Sequence, residues 1–354
     1  MVVLCQSVTK GMAINMKTMR LVTIICWVVT AVALIGLAAW FLTGRVFGIG
    51  RDRWSIGSTL ESLTGSFEAA GTYNVSMDNV DSIYIDWVAG DVDVTPYDGN
   101  DIRITEFARR ELEDDEILTY SISGGTLTIK FDNRDFSLGR TLTKKLEVLV
   151  PSTLIENFDK FTVDSVSGSV NVKNANAGAF KIDTTSGSVS VDNVNAGTFK
   201  IDTVSGSTRL SNISSTAVEV SSTSGSINMS SVNTDYIKMN SISGSAHLTD
   251  VNAKTLISST TSGDHDLLGV FNNVDIDSIS GRVTITSAVV PESLKIGTTS
   301  GNITVTVPDG GAVSVSHSSV SGKLNSDIPI ILQGKDPQFR FSTISGEVKI
   351  LALS

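Results

Sequence analysis

The chain has 354 residues, a formal net charge of −10 and a sequence pI near 4.8, which excludes the basic face that nucleic-acid binders rely on. Only two cysteines, Cys5 and Cys26, and three histidines are present, so neither a disulfide framework nor a Cys- or His-rich metal centre is expected. Abundant Gly, Ser, Thr and Asn point to many short strands and turns rather than helices.

The first element is Leu21–Leu42, LVTIICWVVTAVALIGLAAWFL, a run without a charge. As a helix it would span about 33 Å, enough to cross a hydrocarbon core of about 30 Å. It is longer than the apolar region of a typical cleaved signal peptide, and no convincing small-x-small cleavage site accompanies it. Thr23, Ile24 and Ile25 lack the small residues of a lipobox, so Cys26 reads as an apolar residue of the span. Lys10, Lys17 and Arg20 before the span balance Arg45, Arg51 and Arg53 after it, and the positive-inside rule gives a tie. A short tail ahead of a long polar domain sets the N-terminus in the cytoplasm, whether the chain starts at Met1, Met12, Met16 or Met19. The expected organisation is a cytoplasmic tail 1–20, a transmembrane signal anchor 21–43, a Gly/Ser-rich stalk 44–78, an irregular β section 79–160 that caps a solenoid, and regular β-solenoid repeats 161–354. Residues 44–354 are expected outside the cell membrane.

Within 79–160, IYIDWVAGDVDV already carries the alternation of the later repeat through Ile83, Ile85, Val88, Gly90, Val92 and Val94. DIRITEF, the charged run RRELEDDE and a hairpin-like LTYSISGGTLTIKF follow, and KLEVLVP leads into the repeats. From Phe161 onward self-similarity dominates, as in FTVDSVSGSVNV, FKIDTTSGSVSV and FKIDTVSGSTRL. Its glycines are Gly168, Gly187, Gly206, Gly225, Gly244, Gly263, Gly281, Gly301, Gly322 and Gly346, spaced by 19, 19, 19, 19, 19, 18, 20, 21 and 24 residues. The residues seven and five before glycine, and two and four after it, are mostly apolar and give period-2 alternation on both sides of a turn. A unit of that size cannot enclose a core alone, but stacked coils bury one continuous column. Equivalent strands recur in the same direction, so each pairs in parallel with its copy about 4.8 Å away. The predicted fold is all-β: a single-stranded parallel β-solenoid of about 19-residue coils, preceded by one transmembrane helix.

The glycines form a structural turn ladder. Three residues before each stands a hydroxyl: Ser165, Thr184, Thr203, Ser222, Ser241, Thr260, Ser278, Thr298, Ser319 and Thr343. These are expected to bond backbone groups that the turn leaves unpaired. Two residues before each glycine, aliphatics alternate with Thr, from Val166, Thr185 and Val204 onward. Large-against-small packing of successive coils and a two-coil duplication both account for that alternation.

The hydrophobic–polar strand, (S/T)-x-S-G, strand unit and the VLVP lead-in resemble a family of bacterial envelope proteins known as "putative adhesin" or beta-strand-repeat proteins. The resemblance covers roughly residues 79–354. It implies an extracytoplasmic solenoid, in some members associated with envelope-stress systems, and carries over no catalytic residue.

Chemistry would need side chains that depart from the repeat. His265 and His317 stand at inward registers and His247 at an outward one. Asp264 and Asp266 alternate away from His265, so a core histidine is the expectation rather than a ligand cluster. Asp164, Asp183 and Asp202 stack in consecutive coils and could hold Ca²⁺, but Lys181 and Lys200 offer charge compensation and the G-G-x-G-x-D roll motif is absent. Trp27, Trp40, Trp54 and Trp87 all precede the regular coils and Tyr236 is the one Tyr after residue 160, which disfavours a polysaccharide-lyase groove. The hydroxyl rows sit beside a turn, which disfavours an ice-binding array. The sequence thus predicts no enzyme, no catalytic residue, no cofactor and no metal. It predicts a membrane-anchored adhesion or envelope-interaction module, with an unknown surface partner and no nucleic acid. The alternatives are an envelope-stress accessory, or a scaffold that self-associates end to end through the open edge of the last strand, EVKILAL.

Overall fold

The computed structural model describes residues 66–131, 142–152, 158–332 and 338–353. The apolar run 21–43 lies outside them. Among the described residues no helix is long and apolar enough to cross a membrane.

The architecture is all-β, with one 3-10 turn at Met77–Asn79. The N-terminal strands are β1 (Glu68–Ser76), β2 (Ser82–Ala89), β3 (Val92–Tyr97), β4 (Asp101–Ala108), β5 (Thr119–Ser123), β6 (Thr126–Lys130) and β7 (Lys145–Pro151). The repeats supply β8 (Phe158–Ser167), β9 (Val170–Lys173), β10 (Ala177–Ser186), β11 (Val189–Ser205), β12 (Thr208–Ser224), β13 (Ile227–Ser243), β14 (Ala246–Ser262) and β15 (His265–Ser280). The last strands are β16 (Val283–Ser287), β17 (Ser293–Ser300), β18 (Ile303–Pro308), β19 (Val313–Ser319), β20 (Leu324–Ser326), β21 (Ile330–Leu332), β22 (Gln338–Ser345) and β23 (Val348–Leu353).

Each strand of the regular region pairs in parallel with its copy one repeat on. Phe180 lies opposite Phe161 and Phe199, and Ile182 opposite Val163 and Ile201. The inward column is apolar and fully buried. Phe161, Phe180 and Phe199 stack face to face at 5.0 and 4.7 Å between centroids. Such rows are favourable because identical apolar side chains meet their own shape at one strand spacing.

Two of the corners that close the regular coils are marked by positive φ. At the first, the glycines from Gly168 to Gly301 and Gly346 all have positive φ, and an added Cβ would strike the carbonyl oxygen of the glycine one coil away. Gly322 departs: its φ is not in the positive range, although its neighbour in the ladder, Gly346, is as close. The second corner, which the sequence analysis missed, is a column of left-handed Asn174, Asn193, Asn212, Ser231 and Asp250 with φ between 51° and 55°. Asn is among the residues that tolerate that conformation, and here the column is also linked from coil to coil, by Asn212 Nδ2 to Asp192 Oδ1 at 2.9 Å and by Asn193 Nδ2 to Asn174. Because the ladder continues through this corner, β11 to β14 are each one bent strand of 17 residues.

Both ends depart from sequential stacking. β2 and β3 lie between β8/β9 on one side and β6/β7 on the other, all in parallel. Antiparallel β5 covers β6, while β4 covers β7 and β1 covers β4. The segment 44–78 read as stalk therefore contains a strand: Tyr73 and Val75 of β1 register with Ile104 and Ile102 and extend the sheet. At the other end the final repeat is not the final coil. β22 sits between β17 and β19, and β23 between β18 and β20. The four residues 309–312 reach at most about 14 Å, which spans two strand spacings of about 4.8 Å and lets the chain skip one level that 338–353 then fills. EVKILAL is consequently paired on both sides over part of its length, and the outer edge belongs to β19–β21.

Candidate functional site

Alternation that turns Ile and Phe inward turns the intervening residues outward, and in-register stacking converts each into a row. Tyr84, Thr162, Lys181 and Lys200 form one row, and Asp86, Asp164, Asp183 and Asp202 the next. The rows pair with each other in part, and Thr162 Oγ1, Asp164 Oδ1 and Asp183 Oδ1 stay buried without a partner in the protein. Tyr84 Oη donates to Asp164 Oδ2 at 2.7 Å, Lys200 Nζ stands 3.0 Å from Asp202, and Lys181 pairs with Asp183. The hydrogen bond to Asp164, then burial, pushes the Tyr84 phenol above its ordinary pKa, so it is a fixed donor at neutral pH and no base. The bond to Asp183 likewise raises Lys181. Ser82, Tyr84, Thr126, Lys160, Thr162, Asp164 and Lys181 line an open cleft of about 370 Å³ over this face. Its lining carries hydrogen-bonding and charged groups. The stacked carboxylates weighed for Ca²⁺ hold lysine and tyrosine partners instead. Among the described residues no three His, Cys, Asp or Glu side chains gather as a metal set.

The ladder residues lie where the corners put them, but two expectations need correction. The hydroxyls three before glycine face inward, and eight of them, Ser165, Thr184, Thr203, Ser222, Ser241, Thr260, Ser278 and Thr298, have no hydrogen-bond partner in the protein. These eight do not cap the turn backbone, whose N–H groups already bond across coils, as Gly187 N does to Ser205 O, whereas Ser319 does so as expected, accepting from Gly322 N at 2.7 Å. The aliphatic/Thr column two before glycine points outward, with Val166 52% and Ile344 53% exposed. It is a surface stripe, so core packing of large against small does not explain its alternation.

Of the histidines, His247 is exposed and His317 half-buried, while His265 is 3% exposed. His265 Nε2 lies 2.8 Å from Ser258 Oγ, and both replace aliphatics of the repeat. Asp264 is turned to the turn backbone, accepting from Arg282 N at 2.7 Å. Burial pulls the His265 pKa down to about 4, so the core holds the neutral ring. Since the folded pKa is below the unfolded value near 6.5, the unfolded chain takes up the proton first as pH falls. Stability from this group is complete above about pH 6.5 and is lost down to about pH 4, by about 3 kcal/mol. Thermal melts from pH 7 to 4 should show a slope that His265→Val reduces, and equal slopes in both proteins would refute it.

The sequence analysis also missed a buried ion pair at the N-terminal end. Lys144 and Glu106 are both fully buried, with Nζ 2.5 Å from Glu106 Oε1. Lys144 Nζ also donates to the carbonyls of Phe131 at 2.9 Å and Glu116 at 2.5 Å, and lies 4.1 Å from the Phe131 ring centroid. Leu118 N–H donates to Glu106 Oε2, and Trp87 Nε1 to Lys144 O. The pair ties β4, the RRELEDDE run and the start of β7 together, which is a structural role.

The family model for Toastrack DUF4097 matches residues 80–235 and 215–338. No curated protein matches the sequence. Among solved structures, a "putative adhesin" from Parabacteroides distasonis shares 15% identity, covering 81% of this chain and 98% of that one, with a TM-score of 0.45. A "putative adhesin" from Bacteroides fragilis shares 12%, covering 79% and 96%, with a TM-score of 0.36. A "putative lipid binding protein" from P. distasonis shares 10%, covering 79% and 96%, at 0.34. None of the three defines a ligand or an activity for this chain.

Proposed function

The chain belongs to the Toastrack DUF4097 family, and on that premise we propose that it is a non-enzymatic, membrane-anchored solenoid whose outward polar face serves adhesion or envelope assembly outside the cell membrane. The observation that carries this reading is the paired Tyr/Lys and Asp rows on β2, β8, β10 and β11, which set polar and charged groups in register over four neighbouring levels of the stack. The anchor is residues 21–43. A partner with regularly spaced polar groups would meet donors and acceptors one strand spacing apart over those four levels, and gain affinity by multivalency rather than through one deep pocket. Self-assembly is the second reading, supported by the exposed Val320 and Ile331 at the outer β19–β21 edge.

With a tag after Ser354, protease added to intact cells, with wall or outer membrane opened where present, should remove the tag. Protection that persists until lysis would place the solenoid in the cytoplasm and end the adhesion reading. Sedimentation of the purified protein over a wide concentration range tests the second reading, which a strict monomer would exclude.

A further inference from the structure

We infer that the buried corner beside the glycine ladder holds a file of water molecules, each bridging the hydroxyls of successive coils from Ser165 to Thr298. The eight hydroxyls are in register, Ser165 with Thr184, Thr184 with Thr203, and so on to Ser278 with Thr298. All but Ser241 are at most 8% exposed, and none has a protein partner. Buried hydroxyls in folded proteins are almost always hydrogen-bonded. None of the eight makes the direct bond to its copy that Ser319 and Thr343 make, so a bridge across strands about 4.8 Å apart is what remains to pair them. An oxygen set between two of them, about 2.8 Å from each, would subtend an angle of about 120°, which suits a water. Each hydroxyl can donate to one such water and accept from another, so the file satisfies every member.

The ends of the column fit this reading. At one end Trp87 takes the register of Ser165, is fully buried, and donates its Nε1 to Lys144 O, so an indole closes the corner. A corner that admits an indole in one coil carries only Ser or Thr in the following eight. At the other end Thr343 and Ser319 approach to 3.0 Å and bond each other directly. The side-chain usage agrees as well. Ser and Thr exchange freely from coil to coil, so the methyl is dispensable, yet every repeat keeps the oxygen. Packing alone would accept Ala or Val there.

Thr203→Val tests the file because the side chains match in shape. If waters bridge the hydroxyls, the variant strands two of them and melts about 2–4 °C lower, and Thr184→Val/Thr203→Val falls further. If the hydroxyls are unbridged, the same change relieves an unpaired polar group, so a raised or unchanged melting temperature overturns the proposal. Thr223→Val, in the outward column, is the control and should leave the melt unchanged. A crystal structure of the protein at about 1.5 Å should show density between successive hydroxyls, and bare hydroxyls would refute the file. Rubidium-soaked crystals separate water from a cation: an anomalous peak in the corner would overturn the water assignment.

Discussion

Replacing Lys144 with Met should destabilise the N-terminal end by about 3–5 kcal/mol, the usual cost of stranding one partner of a buried ion pair. Glu106 is fully enclosed, and its carboxylate also accepts from Leu118 N–H at 3.1 Å. Without the ammonium it must stay charged in an apolar box or take up a proton. Glu106→Met should cost a similar amount by removing the carboxylate that balances the buried Lys144 ammonium, whose contacts with the Glu116 and Phe131 carbonyls and the aromatic rings do not neutralise its charge. The double variant should recover part of the loss, since no lone charge remains, but not all of it, because those carbonyls and the Leu118 N–H lose their partners. The damage should stay local. In a stack each coil contacts only its neighbours, so β4 to β7 can open while β12 to β14 hold. Hydrogen exchange resolves this: amides of residues 101–108 and 145–151 should lose protection in Lys144→Met, and those of 208–262 should keep it. Unchanged protection in both segments would show that the pair contributes nothing.

That pair was not legible in the sequence, for a physical reason. Lys144 and Glu106 are far apart in the chain and sit among other charged or polar residues, where a solvated position is the ordinary outcome. Only the fold of the excursion between β3 and β8 brings them under Trp87. The repeats were the opposite case. Phe180 lies opposite Phe199 because the local pattern around every glycine is nearly the same, so one offset satisfies all coils at once. The Asn corner was visible in principle, since Asn174, Asn193 and Asn212 recur at the glycine period. The insertion of 338–353 beneath 313–332 was not. Local alternation fixes which side chains point inward but is indifferent to which coil edge a strand joins. Only the longer spacings of 21 and 24 residues leave chain enough to change the order. The inward hydroxyls were found by position, but the role expected of them holds at Ser319 and fails at the eight from Ser165 to Thr298, because sequence shows that an oxygen recurs and not what it can reach.

Gly206→Ala should be among the most damaging single substitutions in the molecule, costing about 4–5 kcal/mol or more. An ideal Cβ at residue 206 would lie 2.0 Å from Gly187 O and 2.6 Å from Gly187 C, with φ at +129°. Conformation alone is a modest part of this. Gly124 also has positive φ, at +55°, but a Cβ there meets nothing within 4 Å, so Gly124→Ala should cost only about 1–2 kcal/mol. The difference is close approach. Gly206 is held between Gly187 and Gly225, so relief on one side compresses the other. Gly322 tests that explanation. Its Cβ would lie 2.1 Å from Gly346 O, but it belongs to the outermost coil, which can shift outward. Gly322→Ala should therefore fall between the other two. Thermal melts of the three variants should rank Gly206→Ala lowest, then Gly322→Ala, then Gly124→Ala. A Gly206→Ala protein melting within about 2 °C of the parent would mean that the coils do not stack through their glycine backbones. Equal losses at Gly206 and Gly322 would mean that confinement between two coils is not the cause.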